Sequence, residues 1–177
     1  MKITQIRETE SAEAISVLNL ESFVEKIKVE IKARPVSGFR EALHYVLPGE
    51  PCHLSGKLPK IIPAVACGRV NGVKRMKAYN GIVELSVGPL AGKAEVEIVK
   101  KKAAELPQTK LAFMGSSGKT VKIWTYFTRP DGTLPQTQEE AEIFHAHAYR
   151  LAVKCYQPQL PFDIQMKEPL LDQYSRL

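Results

Sequence analysis

The sequence predicts an α+β fold built on the order β-α-β-β-α-β, preceded by a helical pair and a β-hairpin. Three observations carry this expectation. Between residues 79 and 167, two segments with helical spacing of apolar residues alternate with short strand-like runs. The dipeptide Asn71-Gly72, which readily supplies two positive φ angles, lies between two further strand-like runs and marks a two-residue hairpin. A composition of 44% hydrophobic and 25% charged residues belongs to a chain that packs a core, unlike a disordered tail or a disulfide scaffold.

Taken in order, residues 1 to 17 are polar and acidic without periodicity and read as a flexible lead or a short strand such as Lys2 to Ile6. Leu20, Phe23, Val24, Ile27 and Ile31 follow at helical spacing behind Asn19, a good N-cap, and that helix ends before Arg34-Pro35. A second helix has Ser37 as cap, Phe39, Leu43, Val46 and Leu47 on one face, and Pro48-Gly49 as its stop. The prolines and glycines of residues 48 to 62 predict a loop. Residues 1–62 thus form a helical lead and linker, and residues 63–177 the α+β core of a single compact domain.

Ala64 to Val70 and Val73 to Met76 are the hairpin strands, and they carry Arg69, Lys74, Arg75 and Lys77. The core then reads as a strand at Tyr79 to Val87, a helix at Lys93 to Leu106, strands at Lys110 to Gly115 and Lys119 to Phe127, a second helix, and a strand at Pro161 to Lys167. In the first helix Val96, Val99, Ala103 and Leu106 make the buried stripe, and Pro107 ends it. Thr137 to Glu140 has the form of a capping box for the second. Its expected stripe is Ala141, Phe144, Ala148, Leu151, Ala152 and Cys155. This order is the split β-α-β arrangement of ferredoxin-like and RNA-recognition-motif (RRM-like) domains, with both helices on one sheet face.

The net charge of +6 leans toward polyanionic partners. No apolar run approaches the roughly 18 residues of a membrane span, and the first residues lack the apolar region of a secretory signal, so a cytoplasmic protein without membrane partners is expected. Cys52, Cys67 and Cys155 are odd in number and widely spaced, which predicts reduced thiols instead of disulfides or a zinc site.

Gly115 to Thr120 ends in Gly-Lys-Thr, but only two residues separate its glycines and a strand follows, so it is a hairpin turn and not a nucleotide-binding P-loop. Its small residues Ser116, Ser117 and Gly118, followed by Lys119 and Lys122, offer either a plain turn with solvated lysines or a cradle for a phosphate. His145 and His147 lie two apart on a helix and point to opposite sides. One is expected to pack against the sheet with a backbone hydrogen bond, the other to be solvated. Glu84 on the first core strand and Asp163 on the last become neighbours in this topology. They would either share a magnesium ion or serve as surface carboxylates paired with lysine. Trp124 and Tyr126 share one sheet face, as core or as a stacking platform for bases.

Five segments together carry a family resemblance: Lys57-Leu-Pro59, Tyr79 to Leu85, Ala112 to Lys119 with Val121 to Trp124, Phe144 to Tyr149, and Asp172 to Arg176. With these, the chain resembles the VirE amino-terminal domain family of Bacteroidetes, a divergent branch of archaeo-eukaryotic primase-like domains. The resemblance implies a primase-type core in a replication protein of mobile-element origin. It implies single-stranded DNA or a nucleotide as partner, a helicase or primase C-terminal region, fused or separate, and Mg2+ as the cofactor of an active form. Glu84 and Ser86 fall where primases carry an acidic pair, Asp163 where they carry a lone aspartate, and Lys122 where they carry a nucleotide-binding histidine. Two-metal phosphoryl transfer needs several carboxylates, so the loss of one acid at Ser86 and the gain of a cation at Lys122 point to phosphate binding with weak or absent catalysis. In that reading Ser116, Ser117, Gly118, Lys119 and Lys122 hold phosphate, Arg69, Lys74, Arg75 and Lys77 follow the nucleic-acid backbone, and Glu84 and Asp163 hold any metal. The alternatives are an active magnesium-dependent primase-type nucleotidyltransferase and a protein-interaction module that kept the fold alone.

Overall fold

The computed structural model describes residues 1–8, 13–28, 35–46, 52, 54 and 58–176. Helices and antiparallel sheets make an α+β architecture. A three-stranded sheet sits at its centre, formed by β6 (Ile82–Val87), β7 (Thr109–Met114) and β8 (Val121–Tyr126) in the order β6-β8-β7. Helices α3 (Lys93–Ala104) and α4 (Gln138–Tyr156) cover one face. Val83, Leu85, Val87, Val121 and Ile123 point into that layer and meet Val96, Val99, Ala148 and Ala152.

The other face is covered as well, and this was not legible in the sequence. Strand β1 (Lys2–Glu8) pairs with β2 (Glu13–Asn19), and a second sheet runs β2-β1-β3-β9, with β3 at Lys60–Ile62 and β9 at Ser175–Arg176. Of the two readings of the lead, the short strand at Lys2 to Ile6 holds, extended to Glu8 and paired in a hairpin whose inner strand buries Ile3, Thr4, Gln5 and Ile6. Thr4 is tolerated there because its hydroxyl donates to Val65 O at 2.8 Å and accepts from Cys67 N at 2.7 Å. Helix α1 (Leu20–Lys28) brings Phe23 onto Trp124, stacked at 4.8 Å, and Phe113 meets the same indole edge-on at 5.5 Å. Trp124 is fully buried among Ile3, Ile61, Ile82 and these rings, so it is core and not a base-stacking platform.

Helix α2 (Pro35–Leu43) begins at its proline, two residues before the expected cap Ser37. The end expected for α1 before Arg34-Pro35 lies outside the described residues, whereas α2 ends at Leu43, short of the expected Val46, in a turn where Tyr45 N donates to Ala42 O and Val46 N to Leu43 O. The hairpin β4 (Val65–Val70) to β5 (Val73–Tyr79) is as expected, with Asn71 at φ 50° and Gly72 at φ 77°.

The loop expected over residues 48 to 62 ends in strand β3, drawn into the sheet by β1, and three further expected elements are revised. The strand read from Tyr79 to Val87 breaks at Asn80-Gly81: Gly81 takes φ 69°, and a Cβ there would lie 2.5 Å from Phe127 O. Asn80 fixes the break by donating its side-chain amide to Lys2 O and Pro63 O. The last strand, read as Pro161 to Lys167, is a single antiparallel bridge of Ile164 to Val87 at the outer edge of β6. In α4 the buried face is Ala141, His145, Ala148, Tyr149, Ala152 and Tyr156, while Leu151 and Cys155 are exposed. The aromatic and imidazole groups can turn inward because each polar tip has a partner. Tyr156 Oη lies 2.6 Å from Thr109 Oγ1, and Tyr149 Oη accepts from Lys167 N at 2.9 Å. Thr137 caps α4 by accepting from Glu140 N at 3.3 Å, whereas the Glu140 carboxylate pairs with Arg129. All three cysteines are free, and no helix among the described residues is long and apolar enough to cross a membrane.

His147 is exposed, as expected of one of the pair, but His145 is buried against a side chain and not a backbone group: Nδ1 lies 3.2 Å from Tyr79 Oη. Burial pulls its pKa from 6.5 to about 4. Between these values the unfolded chain binds a proton that the folded chain excludes, so stability is complete above pH 6.5 and is lost as pH falls toward 4. His145→Asn keeps an acceptor near the Nδ1 position without titrating. Urea unfolding of both proteins from pH 7 to 4 is expected to show a loss in the wild type that exceeds the variant's by on the order of 3 kcal/mol at the acid limit.

Candidate functional site

The cross-strand register of β6 and β8 sets Glu84 opposite Trp124 and Ser86 opposite Lys122, all on the face away from α3 and α4. Trp124 and its apolar neighbours fill one end of that face. The other end is a polar cluster centred on Glu84. One carboxylate oxygen accepts from Trp124 Nε1 at 2.9 Å; the second accepts from Ser175 Oγ at 2.5 Å and lies 3.5 Å from Lys122 Nζ. Lys122 also donates to Ser86 Oγ at 3.2 Å, and Ser86 donates to Gln165 Oε1 at 2.9 Å. The Glu84 and Lys122 side chains are 10% and 12% exposed, so little water screens them.

A second ammonium completes the cluster. The segment after Pro161 runs antiparallel along β6, fixed by Gly88 N to Asp163 O at 3.2 Å and Gln165 N to Ser86 O at 2.7 Å. This register carries Lys167, not Asp163, up to Glu84. Burial and the adjacent Lys122 ammonium lower the Lys167 pKa, and Glu84 opposes the shift only in part. Lys122 is thus the ion-pair partner of a carboxylate already hydrogen-bonded to Trp124 and Ser175, and Lys167 lies near enough for both of their charges to act on it.

The expected pairing of Glu84 with Asp163 is not formed. Asp163 lies beside Gly88, four residues along β6 from Glu84, with an exposed side chain. Among the described residues no group of three or more His, Cys, Asp and Glu could hold a metal ion.

The turn at 115–120 is a β-hairpin connection, with Gly115 N donating to Thr120 O at 2.8 Å and Gly118 at φ 76°. Arg40 of α2 clamps it, donating to Ser116 O at 2.9 Å and Gly115 O at 3.2 Å, while Ser116 Oγ donates to Arg176 O. Ser117 Oγ accepts from Lys119 N, and the Lys119 side chain is exposed. Lys122 runs beneath the turn: a Cβ on Gly115 would lie 3.7 Å from its Cε. The turn and the Lys122 ammonium therefore belong to one region, with Lys119 at its rim.

The hairpin cations divide between the two ribbon faces. Arg69 donates to Gly72 O and Glu13 O, and Lys74 pairs with Asp172 at 2.9 Å, both on the face turned toward the domain. Arg75 and Lys77 are exposed on the opposite face. Lys167, Gln165 and Ser175 are cluster members that sequence reasoning missed. The strand alternation that pairs position 163 with 165 and 167 was the available signal for the first two.

Fold and cluster together define a small α+β domain with a largely buried polar cluster on one face of its central sheet. Residues 53–177 match the family model described as BT4734-like, N-terminal domain, and the chain belongs to that family. No curated protein and no solved structure matches it.

Glu84→Gln leaves the Lys122 ammonium without its counter-charge and turns one acceptor into a donor. A loss of about 3 kcal/mol in urea unfolding is expected. The loss should shrink when Lys122→Met is added, because the double variant no longer strands that charge; a fully additive double variant would mean that the pair is not coupled.

Proposed function

We propose that this chain is a primase-like domain of a replication protein that binds the phosphate of a nucleotide or of single-stranded nucleic acid, without metal-dependent synthesis of its own. The observation that carries the proposal is the excess of cation over anion in the Glu84 cluster: Lys122 and Lys167 against one carboxylate. An incoming phosphate supplies the missing negative charge and accepts charge-assisted hydrogen bonds from both ammonium groups. Lys119, at the rim of the turn, adds a third cation on the approach.

The topology supports a ferredoxin-like, primase-type core: the sheet order β6-β8-β7, with residue 164 bridging the outer edge of β6, follows the split β-α-β pattern. A strand lying across the whole sheet face is disfavoured by Phe23, Ile3 and Ile61 at the Trp124 end, which leaves the Lys122 end for the ligand. A synthetic primase is disfavoured by the hydrogen bonds that engage both oxygens of Glu84 and by the distance of Asp163 along β6. The family's description as an N-terminal domain is compatible with a helicase or primase region as its companion.

Titration of labelled nucleoside triphosphate and single-stranded oligonucleotide is expected to give saturable binding that magnesium does not strengthen. Lys122→Ala and Lys167→Ala should each weaken it by about 10-fold or more, the scale of one charge-assisted hydrogen bond. Magnesium-dependent primer synthesis by the purified chain, or unchanged affinity in both variants, would overturn the reading.

A further inference from the structure

The β4-β5 ribbon has a chemistry of its own, independent of the Glu84 cluster. Over Val65 to Tyr79 the sequence holds four cations, Arg69, Lys74, Arg75 and Lys77, and no acidic residue. Among the described residues only Lys74 meets a carboxylate, that of Asp172, while Arg69 donates to two backbone carbonyls. Among the described residues neither Arg75 nor Lys77 has an acidic partner, so three positive charges of the ribbon stay uncompensated.

Alternation along the strands sorts these groups. Cys67 and Met76 are paired across the ribbon and pack into the core, and Arg69 and Lys74 share their side. Gly68, Val70, Val73, Arg75 and Lys77 point the other way. Val70 and Val73 stand directly opposite each other beside the Asn71-Gly72 turn, and they are 55% and 54% exposed. Behind them the Lys77 side chain lies across Gly68, where a Cβ would overlap it. The outer face is therefore an apolar pair at the tip followed by two cations on a flat floor. Two exposed valines at a turn have no role in the packing described above.

We propose that this face docks in the major groove of duplex DNA, with Arg75 and Lys77 on backbone phosphates and the Val70-Val73 pair against base edges. The major groove, about 12 Å wide, admits a two-stranded ribbon, and it displays thymine methyl groups that make apolar contacts. Valine has no π-face on which an unpaired base could stack, so the tip suits a duplex better than a single strand. The deep, narrow major groove of an RNA duplex excludes the ribbon.

The test is fluorescence anisotropy with a short labelled DNA duplex, the RNA duplex of the same sequence, and one DNA strand alone, each across a salt series. Circular dichroism establishes that every variant is folded. The DNA duplex is expected to bind most tightly of the three. Arg75→Ala/Lys77→Ala should weaken duplex binding by about 10-fold or more and lower the salt slope by about 2, one unit for each lost phosphate contact. Val70→Ser/Val73→Ser should weaken it several-fold at unchanged slope. Both ribbon variants should leave the binding of nucleoside triphosphate intact, which separates this surface from the phosphate site. The proposal is overturned if both ribbon variants bind the duplex as the wild type does. It is equally overturned if the ribbon residues govern binding to phosphatidylserine vesicles while the duplex is not bound.

Discussion

The carboxylate of Glu84 is the point on which the arrangement depends. It stands mid-strand in β6 and takes hydrogen bonds from the indole of β8 and the hydroxyl of β9, with the Lys122 ammonium beside it. A charged group so little exposed persists only where donors surround it. Those donors come from elements far apart in sequence, so satisfying one charge also fixes how the two sheets sit together. The indole is held flat beneath Phe23, and Ser175 is drawn to the central sheet while β9 pairs with β3.

The same constraint separates two uses of one sheet face. At the Trp124 end, aromatic and aliphatic groups exclude water and bind the N-terminal hairpin to the central sheet. At the Lys122 end, the groups are polar and the packing leaves an imbalance of charge. A fold that gives one end of a face to cohesion can keep the other end polar, because Phe23, Phe113 and Trp124 already join the two layers there.

Much of the central architecture was legible because it rests on local rules. The stripe of Val96, Val99 and Ala103, the Asn71-Gly72 hairpin and the Thr137 cap follow from periodicity, backbone conformation and capping, none of which needs a distant partner. What failed was nonlocal. The α4 face came out rotated because hydropathy undervalues His145, Tyr149 and Tyr156, whose polar tips are satisfied by residues on other elements. Strand β2 was missed because it is an edge strand with weak alternation, held by its partner. At the site, Glu84 and Lys122 are brought together by simple β6-β8 pairing, whereas Lys167 in place of Asp163 depends on the register of a single bridge.

The last residues of the chain meet some of the earliest. Tyr174 lies between the cations of Lys60 and Arg176, Arg176 pairs with Glu8, and β9 pairs with β3, which itself pairs with β1. During synthesis, the first hairpin must therefore wait for about the whole domain to leave the ribosome before its sheet is complete. Strand β1 gains both of its neighbours early, β2 and then β3, so what stays open until the end of the domain has been made is the outer edge of β3, which β9 closes last.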